Sequence, residues 1–235
     1  MLNPHPTVQR IPLFDGHECL VVDGVLQDPA AWVAWACERR DAFRPTRHAY
    51  PGVELWFDEA CTAAIGAFFS QHLQSLLGMS EVLNAASRAS LVSLTPQQLV
   101  PMQRTCHRDD RGVSDGQCIV ASVIYLFDDP ELGGTSLYRP RRPMAEIETL
   151  VQDSRVLRNE AFDARYPGFV RGYMVEGNDW FERVASVPAR FNRAVFYDGG
   201  IFHSGDIRHP ERMSSDPALG RLTLNAFLRC RRAVP

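Results

Sequence analysis

The chain contains no lysine; all 25 of its basic residues are arginine. A GC-rich coding bias accounts for that most simply, yet the consequence is chemical. Any anion that this protein grips with a permanently charged side chain must be gripped by a guanidinium, whose planar donors suit carboxylates. Cysteine is sparse and scattered. The six thiols, Cys19, Cys37, Cys61, Cys106, Cys118 and Cys230, include no C-x-x-C pair and no dense framework, so they read as reduced residues, mostly in the core. No stretch approaches the roughly eighteen apolar residues of a membrane span, and MLNPHPTVQR lacks the basic and apolar parts of a secretory signal. A cytoplasmic location is therefore expected. A net charge of −3 leaves no basic excess for nucleic acid. Neither nucleic acid nor a membrane is an expected partner, and a homodimer stays open.

What is present suits one domain. With 235 residues, 45% of them hydrophobic, the chain can bury a large core without disulfides. Residues 1–86 read as a helix-rich support. An entry strand occupies the first 25 or so residues, and a helix follows Asp28 as N-cap with Pro29 in its first turn. Trp32, Trp35 and Ala36 share one face of that helix as core anchors. A turn at YPG leads to a second helix from DEACTAAIG to about Gly78, which carries His72. From residue 87 the pattern changes to short β-type runs: SRASLVSLT, QCIVASVIYLF, GGTSLYR, FERVASV, NRAVFYDGGIFHS and RLTLNAFLR. A helical segment at 141–179 interrupts them. The expected fold is mainly β with flanking helices, an antiparallel sandwich or barrel over 87–232 buttressed by the N-terminal helices.

One seven-residue stretch, TCHRDDR, holds a histidine and two aspartates. A His-x-Asp triplet arises by chance roughly once in every two chains of this make-up, so its neighbours must decide what it means. In extended backbone, residues two apart share a face, so His107 and Asp109 converge while Cys106, Arg108 and Asp110 turn away. A third ligand is needed. His203 in YDGGIFHSGD follows a strong strand at a glycine-flanked bend, whereas His209 lies in a charged loop. Two histidines and one carboxylate leave coordination positions open, which suits non-haem Fe(II); a structural zinc would close the site with Cys or His. Arg221 and Thr223 in GRLTLNAFL share a face one strand later, and Tyr125 ends the apolar run IVASVIY. Together they would cradle a carboxylate beside the metal. Taken singly, each has an ordinary explanation: a solvated loop for HRDDR, a rim arginine, a core tyrosine, a turn histidine. Their joint order along the strands outweighs those explanations.

That order resembles the Fe(II)/2-oxoglutarate-dependent dioxygenases, especially the prolyl-hydroxylase-like branch, through CHRDD, VIYLFDDPELGGTSLYRP, NRAVFYDGGIFHSGDI and GRLTLNAFL. YPG, GGTSLYR and NRAVFYDGGIFHS are similar to an uncharacterised bacterial group within that superfamily. The resemblance implies a double-stranded β-helix (jelly roll). It implies His107, Asp109 and His203 as the catalytic iron triad, with Tyr125, Arg221 and Thr223 on the distal carboxylate of 2-oxoglutarate. It implies O₂ as oxidant and hydroxylation of a C–H bond, with succinate and CO₂ released; Asp109 speaks against halogenation, and desaturation stays open. RHPERMSSDPAL lengthens the usual gap between His203 and Arg221. Unless it is a loop, Arg208 or Arg212 takes the role of Arg221. Tyr138, Arg139, Arg142 and Trp180 are the candidates for the substrate mouth. The alternative is a non-catalytic jelly roll that binds metal or a small molecule.

Overall fold

The computed structural model describes residues 2–110 and 112–233. Strands β1 (Val8–Pro12) and β2 (Glu18–Asp23) form a hairpin in place of the single entry strand expected, because Asp15 and Gly16 take positive φ of 51° and 77° and reverse the chain. Helix α1 (Pro29–Glu38) begins as expected, with the Asp28 carboxylate accepting from the Ala31 amide at 3.0 Å. Trp32 and Trp35 are half-buried and pack on Phe57 at 5.4 and 5.2 Å between ring centroids. Strands β3 (Arg44–Pro45) and β4 (Gly52–Trp56) precede helix α2 (Glu59–His72). A short 3-10 turn at 75–77 follows, closed by Gly78 at φ 70°.

Strand β5 (Met79–Val92) starts eight residues before the expected change of pattern. Its first half, MSEVLNAA, carries weak β formers and half-exposed positions, so alternation alone does not reveal it. The N-terminal part is thus only partly helical, since it also contributes β1 to β4 and half of β5 to the sheet. Strands β6 (Gln117–Tyr125) and β7 (Thr135–Pro140) come next, then helices α3 (Met144–Val156) and α4 (Asn159–Arg165) within the expected insertion. Strands β8 (Phe181–Val187), β9 (Arg193–Asp198), β10 (Phe202–Gly205) and β11 (Leu222–Arg232) complete the chain. No helix among the described residues is long and apolar enough to cross a membrane.

The strands form two sheets, one of order β1-β2-β9-β6-β11-β5-β4-β3 and one of order β10-β7-β8, with every neighbouring pair antiparallel. A bridge between His107 and His203 adds a fourth rung to the smaller sheet. From β5 onward the chain passes between β9-β6-β11-β5 and the opposed smaller sheet, which defines a double-stranded β-helix, or jelly roll.

The pleat divides the large sheet. On its outer face Leu20, Val22, Val120, Ile124, Phe196, Leu224 and Leu228 pack with Phe68, Phe69 and Leu73 at α2. Its inner face mixes apolar with polar residues: Val21, Ala121, Tyr125, Val195 and Tyr197 meet Leu137 and Val187 of the smaller sheet. Nearer β4, the inner face turns polar. A third cluster, with Ile147, Leu150 and Phe162 from the insertion, covers the outer side of the smaller sheet at Tyr138, Phe181 and Phe202.

Candidate metal centre

His107, Asp109 and His203 meet, with one donor atom of each lying within 4.8 Å of the others. The backbone sets this up. His107 and His203 exchange amide-to-carbonyl bonds of 3.0 and 2.9 Å, and the Asp109 amide donates to the Gly199 carbonyl at 2.7 Å. Glycine at 199 matters here, since a Cβ would lie 3.1 Å from Asp109 Cβ and 3.0 Å from the Ile119 carbonyl oxygen. The two imidazoles sit 4.4 Å apart, centroid to centroid. His203 Nδ1 donates to the Ile201 carbonyl at 2.9 Å, so Nε2 is the nitrogen left for a metal, and it lies 3.1 Å from Asp109 Oδ2. His107 Nε2 lies 3.8 Å from Asp109 Oδ1.

Electrostatics prepares His107 and Asp109 for a cation. Burial, followed by the neighbouring His203, lowers His107 to a pKa of about 3, so its imidazole is neutral and able to coordinate. At Asp109 burial works toward protonation, but His203 and His107 outweigh it and hold the carboxyl at about 2. Two imidazoles, that of His107 neutral, and an ionised carboxylate form a donor set that a divalent ion fits. Arg108 and Asp110 pair with each other at 3.1 Å, clear of the three donors, as alternation requires. His209 is held in its own loop by Glu211 and Glu131 at 2.9 and 3.1 Å.

The triad lies on a cavity of about 770 Å³ that also contains Arg221. Arg221 is 4% exposed, and no carboxylate pairs with it among the described residues. Its Nε and Nη2 donate to the carbonyls of Gly133 and Gly134 at 3.0 and 2.7 Å. The Gly-Gly pair lets neighbouring backbone pack against the turn that carries these carbonyls: a Cβ at Gly133 would stand 2.0 Å from the Asp206 carbonyl oxygen, and one at Gly134 1.9 Å from that of Val187. The guanidinium lies 6.0 Å from the Tyr125 ring. Tyr125 and Thr223 face each other across β6 and β11, and the Tyr125 hydroxyl donates to Thr135 Oγ1 at 2.8 Å. Burial pushes Tyr125 up to about 12, so it keeps its proton. Residues 206–220 form a loop with a single 3-10 turn, Pro210–Arg212. Arg208 pairs there with Glu176 and Asp206, and Arg212 with Asp129, so both alternatives to Arg221 are engaged at the surface.

The four expected mouth residues do not line this cavity. Tyr138 follows Leu137, which faces inward, so the pleat sends its ring outward into the cluster beneath the insertion, where its hydroxyl donates to the Met174 carbonyl at 3.0 Å. Trp180 packs on Tyr166 at 5.4 Å in the same region, with Arg142 over its ring. Arg139 pairs with Glu182 at the surface.

The family model described as a family of unknown function (DUF6445) matches residues 4–228. The chain belongs to that family. No curated protein matches it. Among solved structures it is similar to HygX from Streptomyces hygroscopicus with nickel and 2-oxoglutarate bound, at 14% identity and TM-score 0.47, over 93% of this chain and 84% of that one. It is similar to EvdO2 from Micromonospora carbonacea var. aurantiaca, at 13% identity and TM-score 0.46, over 98% and 96%. It is also similar to a prolyl hydroxylase from Trichoplax adhaerens, at 10% identity and TM-score 0.40, over 91% and 83%.

Sequence reading missed one wall of the cavity in this DUF6445 chain. Tyr50, Arg47, His48, Trp56, Arg88, Asn225 and Phe227 line it from the β4 side. The Tyr50 hydroxyl is buried without a hydrogen-bond partner, and burial raises its pKa against the opposing influence of Arg221 and Thr223. Nothing in the local pattern marks these residues. They become neighbours only because β5 pairs with both β4 and β11.

Proposed function

We propose that this protein is an Fe(II)- and 2-oxoglutarate-dependent oxygenase of the prolyl-hydroxylase-like branch that hydroxylates a C–H bond of a small molecule or peptide side chain. The observation that carries the reading is the shared cavity: a two-histidine, one-carboxylate donor set and a buried arginine without a carboxylate partner among the described residues. A buried cation of that kind is costly unless an anion completes it. Iron and 2-oxoglutarate, when bound, supply the oxidation, with succinate and CO₂ released from the cosubstrate and O₂ as the oxidant.

The protein's own residues do the rest. His107, Asp109 and His203 would hold the metal, and the Ile201 carbonyl fixes the His203 ring so that Nε2 points inward. Arg221 would attract the distal carboxylate, with its guanidinium oriented by the Gly133 and Gly134 carbonyls. Thr223 and Tyr50 offer hydroxyls beside it, and Tyr125 bounds that end. Tyr197, packed at 4.8 Å on the His203 ring, keeps water from that side of the ligand.

Anaerobic titration of the Fe(II)-loaded protein with 2-oxoglutarate tests this. The expected result is the weak visible charge-transfer band of a chelated keto acid, present in the wild type and absent in His203→Ala. Bound iron with no band at saturating 2-oxoglutarate would leave a metal-binding jelly roll without this chemistry.

A further inference from the structure

The cavity is more basic than a metal and one cosubstrate require. Arg47, Arg88, Arg108, Arg155 and Arg221 line it against one carboxylate, Asp109. On the oxygenase reading, on which this inference rests, the charges of a divalent metal and Arg221 cancel those of Asp109 and a dicarboxylate cosubstrate. Of the other arginines, Arg108 is paired with Asp110 and Arg88 with Glu54, which leaves the exposed Arg47 as an added positive charge on the wall beside Arg88.

Arg88 is the most constrained of them. It lies in a row across the inner face of the large sheet, directly opposite Trp56 on β4 and Asn225 on β11. Its guanidinium sits 5.1 Å from the Trp56 ring and 4.8 Å from the Phe227 ring, between two aromatic surfaces. Arg88 Nη1 reaches Glu54 at 2.9 Å and His48 Nε2 at 3.4 Å. The same Glu54 carboxylate accepts from Trp56 Nε1 at 3.2 Å and lies 3.0 Å from His48 Nε2. That network fixes the plane of the guanidinium and leaves Nε buried with no hydrogen-bond partner. An unpaired buried donor on a charged group is costly, and the guanidinium to which it belongs borders the cavity. Beside it, Arg47 is exposed on the cavity wall with no hydrogen bond or ion pair among the described residues. Trp56 is 52% exposed, so an apolar surface is available next to these donors.

The geometry points to a substrate subsite on this wall that binds an oxyanion, carboxylate or phosphate, through Arg88 and Arg47, with the adjoining body of the substrate on Trp56 and Phe227. The substrate is therefore an anionic small molecule with a flat or apolar portion next to its charge.

Calorimetric titration of the full chain, loaded with redox-inert Ni(II) and 2-oxoglutarate, tests it with three probes: 1-naphthoate, 1-naphthyl phosphate and neutral 1-naphthamide. At least one anion should bind about tenfold or more tightly than the amide, and which one does so distinguishes carboxylate from phosphate. That preference should vanish in Arg47→Gln, whose side chain is exposed, and in the double variant Arg88→Gln/Glu54→Gln, which removes a buried pair together rather than stranding one charge. Equal binding of the three probes, binding of none, or a preference that survives either variant would overturn the subsite. Repeating the titration without Ni(II) and 2-oxoglutarate separates the two readings. An anion preference that persists in a protein unable to bind 2-oxoglutarate removes the oxygenase and keeps the subsite.

Discussion

The two faces of the large sheet are made from the same strands, yet one packs into the core and the other lines the cavity. Leu222, Leu224 and Leu228 of β11 alternate with Thr223, Asn225 and Phe227. The leucines join Phe68, Phe69 and Phe196 in a dry layer, whereas Thr223 and Asn225 bond to each other and Phe227 borders the cavity. A period of two thus lets one strand meet both demands without compromise. The difference teaches where damage will register: as lost stability on the outer face, as lost ligand on the inner one.

The largest effect is expected from the triad. His107→Ala or His203→Ala should lower iron affinity by more than about 100-fold and abolish succinate formation, while the melting curve of the metal-free protein shows the fold intact. Near-normal succinate production in either variant would refute the triad. Phe196→Ala removes a fully buried ring that touches both Phe68 and Phe69, and should cost about 3–5 kcal/mol in urea unfolding. Metal affinity of the folded fraction should stay unchanged, which keeps the two faces distinct.

Arg221→Ala should retain iron but weaken 2-oxoglutarate about 30-fold, the loss of one side of a buried charge contact of about 2 kcal/mol. Acidification probes the same inner face. Burial holds His107 at about 3 in the folded metal-free protein, below the usual 6.5 of an imidazole, so between those values the unfolded chain binds more protons. Stability from this group is present above 6.5 and declines as pH falls from there toward 3; Asp109, lowered from 3.8 to about 2, adds a further loss as pH falls from 3.8 toward 2. The melting temperature should drop on the order of 5 °C between pH 7 and 5, and His107→Gln should flatten that slope. A slope unchanged in the variant would assign the effect elsewhere. The smallest effect belongs to Arg212→Ala, a surface ion-pair residue, which should cost less than about 1 kcal/mol and leave 2-oxoglutarate affinity as it is.

Much of this was legible in advance, for reasons that differ by residue. His-x-Asp announces itself because a strand's period places both side chains on one side, and His203 follows from a strand that stops at two glycines. Arg221-x-Thr223 is readable for the same reason, although a seventeen-residue gap separates it from His203; only the observed loop at 206–220 keeps Arg221 in place of Arg208 and Arg212. Tyr138 was placed at the mouth because it ends a strand, but inward or outward is a matter of register, and a one-residue difference in parity sends it to the far side.

By itself, the sequence determined the local rules: where strands and helices form, which residues share a face, and that arginine must answer any anion. Tertiary structure alone decided which faces meet. The wall of Trp56, Arg88, Asn225 and Phe227 exists because β4 and β11 both pair with β5, the latter joining positions more than 130 residues apart. Local propensity carries no information about such pairings, because they are chosen by the burial of a whole sheet face and not by any residue's own preference.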